Sequence, residues 1–195
     1  MLNIMKTKKL SAVILAGGKN SRIQREKSLI KIKGDHIIDI QVKILESIFE
    51  EIIIVTQKED IIKKFPNLKI ISDEFQNCGP LAGIHSALKK SNTEAIFVFA
   101  CDMPFLDTHV IRRQILAFNR GNYDVLVPKH HAGIEPLHAI YSKASLIYLT
   151  ECLCNKNYSV RSFYNKVNVK YLNFSNKKIV KFFNINTHID LKEII

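Results

Sequence analysis

The chain has 195 residues, 47% hydrophobic and 24% charged, an ordinary balance for one soluble domain large enough to bury a real core. No apolar run approaches the ~18 residues of a membrane-spanning helix, which excludes that class. Its 29 basic residues against 18 acidic ones give a formal charge of +11, which draws phosphate-bearing partners of any kind.

Lys6, Lys8 and Lys9 precede the apolar residues 10–16 and imitate the start of a signal peptide. That run is better read as a first strand, so the expected location is the cytoplasm. Residues 11–15 suit a short buried strand, and Gly17 and Gly18 after it let the backbone approach a ligand closely. Lys19, Arg22, Arg25 and Lys27 then fall within nine residues. A strand that ends in glycines and opens into a cationic loop can hold a polyphosphate. A turn followed by a solvated charge run is the plain alternative. Neither the Walker A spacing nor G-x-G-x-x-G is present, so P-loop and NAD readings have no support.

Ile37, Ile38, Ile44, Leu45, Ile48 and Phe49 then form a helical apolar stripe. Residues 51–56 read as a strand, and a short helical piece is closed by Phe65 before Pro66. A third strand over 68–73 ends in the carboxylate of Asp73. C-G-P-L-A-G at 78–83 leads into a helix over 84–90. Residues 94–101 make the most apolar strand, expected at the centre of the sheet, and end in Asp102-Met103-Pro104. A helix over 107–118, a strand over 123–127, a polar loop over 129–135 and a strand over 137–141 come next. The last third gives helices at 143–154 and 160–164 and strands at 167–172 and 179–183. Thr187 and Asp190 make a weakened capping box before a short terminal helix. This alternation predicts a single α/β domain, Rossmann-like, with a mostly parallel central sheet flanked by helices.

Ligands of open α/β sheets bind at the carboxyl ends of the strands, where the Gly-Gly loop, Asp73 and Asp102 all fall. Asp102 would suit Mg²⁺, which commonly takes one or two protein carboxylates plus phosphate oxygens and water. A helix cap or turn aspartate is the alternative. Cys78, Cys101, Cys152 and Cys154 have no paired C-x-x-C spacing, and Cys101 reads as a small core residue. His36, His85, His109 and His188 suit surface or capping roles, whereas His130 and His131 on the polar loop could meet an acceptor substrate. Lysine supplies 23 of the 29 basic residues, scattered except for some clustering over 161–181. A nucleic-acid-binding domain is therefore a rival, although zinc-finger spacing, an aromatic RNP stretch and a basic zipper are all missing.

Five motifs together resemble one family. Leu15, Ala16, Gly17, Gly18, Arg22 and Lys27 match L-A-G-G-x-S-x-R-M-G-x-D-K at the same spacing, with Asn20, Ile23, Gln24 and Glu26 as departures. G-P-L-A-G recurs at 79–83, C-D-x-P at 101–104, P-x-x-A-x-Y at 136–141 and N-x-N-T at 184–187, with Asp73 at the fitting distance before the second. Over residues 10–192 the chain resembles the nucleotidyltransferases that activate small phosphorylated molecules, and among them the molybdenum cofactor guanylyltransferase family. The resemblance implies transfer of GMP from Mg²⁺-bound GTP to the phosphate of the molybdenum-bearing molybdopterin, with release of pyrophosphate. Proteins that take over the finished cofactor would be partners, and neither nucleic acid nor membrane would be.

The resemblance also implies that Leu15, Ala16, Gly17 and Gly18 hold the nucleotide through their backbone, with Thr56 and Asp73 contacting it. Lys27, Arg22 and Asp102 would be catalytic: Lys27 and Arg22 offset phosphate charge, and Asp102 holds Mg²⁺ and GTP. Asn184 and Asn186 would lie near the pterin end. Gln24 cannot replace a glycine at positive φ without strain, so it changes the loop but not its charge. Related cytidylyltransferases have Ala where this chain has Gly17, so GTP is expected over CTP. A cytidylyltransferase acting on molybdopterin or another small phosphorylated acceptor is the alternative within the class.

Overall fold

The computed structural model describes residues 9–17, 30–32 and 34–174. The strand expected over 179–183 and the terminal helix from Thr187 lie outside them. In chain order the elements are β1 (Leu10–Leu15), β2 (Lys31–Ile32), β3 (Asp35–His36), α1 (Ile37–Glu46), β4 (Ile52–Val55), α2 (Glu59–Lys64), β5 (Lys69–Ile71) and α3 (Pro80–Lys90). There follow β6 (Ala95–Ala100), α4 (Thr108–Asn119), β7 (Val125–His130), β8 (Gly133–Ile134) and β9 (His138–Ser142). A 3₁₀ turn (Lys143–Ser145) leads to α5 (Leu146–Cys154), α6 (Val160–Tyr164) and β10 (Val169–Asn173).

The main sheet has the order β10-β7-β9-β6-β1-β4-β5, with β8 paired to β7. β1 runs parallel to both β4 and β6, β4 to β5, and β7 to β10. Within this sheet, among the described residues, only β9 and the short β8 run against the other strands. The chain leaves β1 in one direction for β4 and β5, then crosses to its other side for β6. β1 therefore stands at the point where the strand order reverses, the place where open α/β sheets bind their ligands.

The core has two layers because successive strand residues point to opposite faces. Ala12, Ile14, Ile52, Ile54, Phe97 and Phe99 meet Ile38, Val42 and Leu45 of α1, with Phe49 edge-on to both phenylalanines of β6. Val13, Ile53, Val55, Ile96 and Val98 meet Leu81, Ile84 and Leu88 of α3 and Leu149 of α5. All six residues of β6 are buried. At about 1.5–3 kcal/mol for each fully buried aromatic or branched side chain, β6 is a firm support for the turn that follows it.

Two stretches differ from expectation. α3 starts at Pro80 rather than at 84, since a proline at the first helical position gives up an N–H that would have no helical partner anyway. Residues 129–135, expected as a loop, include the end of β7 and a turn back into β8. β7 passes through Pro128 because its register with β9 ends at Leu126, so the missing N–H breaks no bond on that side. The small β2–β3 hairpin has no sequence signal that set it apart.

Candidate active site

The carboxyl ends of four strands are laced together by short hydrogen bonds. The Cys101 amide donates to Leu15 O at 3.2 Å, the Ala16 amide to Val55 O at 3.0 Å, and the Thr56 amide to Ile71 O at 2.8 Å. The buried Thr56 hydroxyl donates to Ala16 O at 3.2 Å and accepts from the Lys58 amide at 3.2 Å. Thr56 thus braces the turn that carries Ala16 and Gly17.

The two glycine loops do different work. Gly79 has φ +70°, a conformation that favours glycine, and opens α3 with Pro80 after it. A Cβ on Gly83 would stand 2.9 Å from Leu15 Cδ2 and 3.3 Å from Asp73 Oδ1, so the bare glycine lets α3 pack directly over the end of β1, and a side chain here would have to push aside the tips of Leu15 and Asp73. Among the described residues, a Cβ on Gly17 would meet nothing nearer than 3.9 Å, at Asp73 Oδ2 and Val55 O. Gly17 also lacks a left-handed φ. Gly17 therefore makes no use of glycine's conformational freedom, and among the described residues nothing crowds a methyl placed there.

Asp73 is held beside that space. The loop after β5 is anchored to α3 by the Glu74 amide donating to Ser86 Oγ at 2.9 Å, by Lys89 with Glu74 at 2.8 Å, and by Phe75 edge-on to His85. Burial raises the Asp73 carboxyl above its ordinary value, and its Oδ1 is buried without a hydrogen-bond partner among the described residues. His85 is buried rather than at the surface, which corrects that expectation. Its Nε2 donates to Thr150 Oγ1 at 3.1 Å, because that hydroxyl already donates to Leu146 O.

Asp102 sits in the turn that ends β6, on the other side of β1, where Met103 N donates to Ala100 O at 3.3 Å. The capping role belongs instead to Asp107, whose Oδ1 accepts from the His109 amide at 2.8 Å and the Val110 amide at 3.2 Å. His130 ends β7, which reaches the same edge of the sheet as β6 because β9 is antiparallel to both. Its Nδ1 accepts from the Ala132 amide at 3.3 Å, and its Nε2 donates to Glu135 Oε1 at 2.8 Å. It braces the hairpin, while His131 beside it is exposed. Gly18, Arg22, Lys27, Asn184 and Asn186 lie outside the described residues.

Among the described residues no three His, Cys, Asp or Glu side chains gather to hold a metal by themselves. Asp73 and Asp102 offer hard carboxylate oxygens flanking the β1 end, one of them buried and without a hydrogen bond. That donor set fits a Mg²⁺ whose shell is completed by phosphate oxygens and water.

The sequence profile of the MobA-like NTP transferase domain matches residues 12–170, more than half of the chain. The chain belongs to this family. A Clostridium perfringens protein named probable molybdenum cofactor guanylyltransferase is 36% identical, the match covering 96% of both chains. The crystal structure of molybdopterin-guanine dinucleotide biosynthesis protein A from Archaeoglobus fulgidus superposes with a TM-score of 0.81 at 27% identity, covering 94% of this chain and 96% of that one. The 4-diphosphocytidyl-2C-methyl-D-erythritol synthase of Anaerococcus prevotii shares the fold, with a TM-score of 0.70 at 17% identity over 96% and 94% of the two chains.

Within this MobA-like domain the structure brings together Leu15, Ala16, Gly17, Thr56 and Asp73, and adds Gly83, whose role the sequence did not disclose. The Tyr of P-x-x-A-x-Y is structural: Tyr141 donates to Pro136 O at 2.8 Å and shares a 2.9 Å hydrogen bond with the Tyr164 hydroxyl. Gln41 was also missed. Its signal was legible, because it is a polar residue on the buried face of α1, four positions after Ile37 and four before Leu45.

Proposed function

We propose that this protein transfers GMP from GTP to the terminal phosphate of molybdenum-bearing molybdopterin, yielding the guanine dinucleotide form and pyrophosphate. The observation that carries this reading is Gly17 at the strand-order reversal, uncrowded among the described residues, with Asp73 beside it and Asp102 across β1. The names of the most similar relatives support the acceptor and the base.

A phosphate oxygen of the acceptor attacks the α-phosphorus of GTP, the bond from that phosphorus to the bridging oxygen breaks, and pyrophosphate leaves with the electron pair. No covalent enzyme intermediate is needed, so positioning and charge stabilisation carry the rate. The backbone at Leu15, Ala16 and Gly17 receives the nucleotide, and Gly18, next in sequence, shares that role. Thr56 supports it from behind, and the bare oxygen of Asp73 accepts a hydrogen bond from the nucleotide. Lys27 and Arg22, on the cationic loop, offset charge on the phosphates. Asp102 would hold Mg²⁺, which when bound neutralises charge on the triphosphate. His131 and the hairpin braced by His130 face the acceptor, together with Asn184 and Asn186. One domain carries all of these roles.

Pyrophosphate release with molybdopterin as acceptor, measured with GTP and with CTP at saturating Mg²⁺, checks the assignment. The expected result is a higher kcat/KM for GTP. A preference for CTP assigns cytidylyl transfer instead, and binding of a DNA duplex without nucleotide turnover would return the basic surface to nucleic acid.

A further inference from the structure

The turn that carries Asp102 is held at both ends by one buried side chain. Gln41 of α1 is fully buried, and its Nε2 donates to Ala100 O at 2.7 Å and to Met103 O at 2.9 Å. These two carbonyls bracket Cys101 and Asp102. Gln41 Oε1 has no hydrogen-bond partner among the described residues. A buried amide with an unpartnered oxygen is costly, and an apolar residue would suit the neighbouring Ile38, Val42 and Leu45 better. The amide does something that packing does not require: it fixes two carbonyls in a turn whose own closing bond is long, at 3.3 Å.

We infer that Gln41 is the positioning residue for Asp102, setting the direction in which its carboxylate meets a metal-bound triphosphate. This rests on the proposed role of Asp102. Gln41 touches neither substrate nor metal. It acts through the Ala100–Met103 backbone, so its loss should uncouple nucleotide binding from Mg²⁺ rather than unfold the chain.

The experiment compares the full-length chain with Gln41→Met, which keeps length and apolar bulk but has no donor. Val42→Ala, on the same helix and buried in the same layer, serves as the control for general loosening of α1. Calorimetric titration with GTP, with and without Mg²⁺, gives the gain in affinity that the metal confers. In Gln41→Met that gain should fall roughly 10- to 100-fold, as for other residues that orient a metal ligand, while metal-free GTP affinity stays within about twofold. Raised Mg²⁺ should partly restore kcat in this variant and not in Val42→Ala. An unchanged Mg²⁺ gain in Gln41→Met overturns the assignment of Gln41 alone. A wild-type protein that binds GTP equally with and without Mg²⁺ overturns the role of Asp102, and that of Gln41 with it. Should Gln41→Met not fold, Gln41→Asn, which withdraws the amide by one methylene, takes the same measurement with the same two outcomes.

Discussion

The two ends of the central strands carry carboxylates in opposite circumstances. At the amino end, Glu51 accepts from Ser11 Oγ, from Lys69 Nζ at 3.0 Å, and from the Asn92 amide at 3.1 Å and side chain at 2.8 Å. Burial pushes the Glu51 carboxyl up, but the bonds from Ser11, Lys69 and Asn92 outweigh it and leave the group below its ordinary value. At the carboxyl end, burial raises the Asp73 carboxyl, and among the described residues no hydrogen bond to its Oδ1 offsets it. A groove of about 400 Å³ lies at the amino end, lined in part by Glu51, Lys69 and Asn92. Yet the carboxylate of Glu51 is satisfied by the protein itself. Beside Gly17 stands Asp73, whose Oδ1 has no hydrogen-bond partner among the described residues. Unmet hydrogen-bonding capacity among the described residues distinguishes the carboxyl end from the amino end, where the carboxylate holds the sheet.

The largest effects should separate the two ends completely. Asp102→Asn should lower kcat for pyrophosphate release roughly 100- to 1,000-fold with Tm unchanged, since it removes charge needed only around the triphosphate. Wild-type turnover in this variant would make Asp102 structural. Glu51→Ala should do the reverse, leaving kcat/KM at 25 °C unchanged while unfolding comes at about 5 °C lower temperature, as the buried Ser11 hydroxyl and the more exposed Lys69 and Asn92 lose their shared acceptor. A Glu51→Ala protein with normal Tm but impaired turnover would erase the contrast.

Two smaller effects sharpen it. Gly17→Ala should leave Tm unaltered, because among the described residues the methyl meets nothing nearer than 3.9 Å, yet raise the KM for GTP about tenfold by filling space proposed for nucleotide. The GTP-over-CTP ratio should narrow, and a fall in Tm would show that the space belongs to the fold. Asp73→Asn should weaken GTP binding while making the free protein slightly more stable at neutral pH. Its native carboxyl lies above the ordinary 3.8, so the unfolded chain gives up that proton first and wild-type stability falls as pH rises through the native value. The advantage of the Asn variant should open above pH 3.8 and level off once the native carboxyl has ionised. Thermal unfolding of both proteins across that window measures it, and equal stability at all pH values would mean that burial of Asp73 carries no cost.

Most of the site was legible because strand ends announce themselves. An apolar run that stops at a glycine pair or an aspartate marks both the end of a strand and the residue left facing solvent there, so Gly17, Asp73 and Asp102 could be named from sequence. Thr56 was named too, but its hydroxyl is spent on Ala16 O and Lys58 N, which spacing along the chain cannot reveal. His85 was placed at the surface because one polar residue in a helix carries no sign of what packs over it. Its burial depends on Phe75 and Thr150, one from each side of the chain. The 129–135 hairpin was read as a loop because polar residues at a sheet edge resemble a turn until their partner strand is known.

The sequence by itself determined the alternation of strands and helices, the central place of the most apolar strand, and the family, because period, burial and motif spacing are local properties of the chain. The tertiary structure decided the rest. Strand order put β1 at the reversal point, close packing set Gly83 against Leu15 and Asp73, and one helix side chain came to hold the turn of Asp102. These depend on contacts between residues far apart in sequence, such as Gln41 with Ala100 and Met103. Hydrogen bonds and clearances of a few ångströms exist only once the layers have closed.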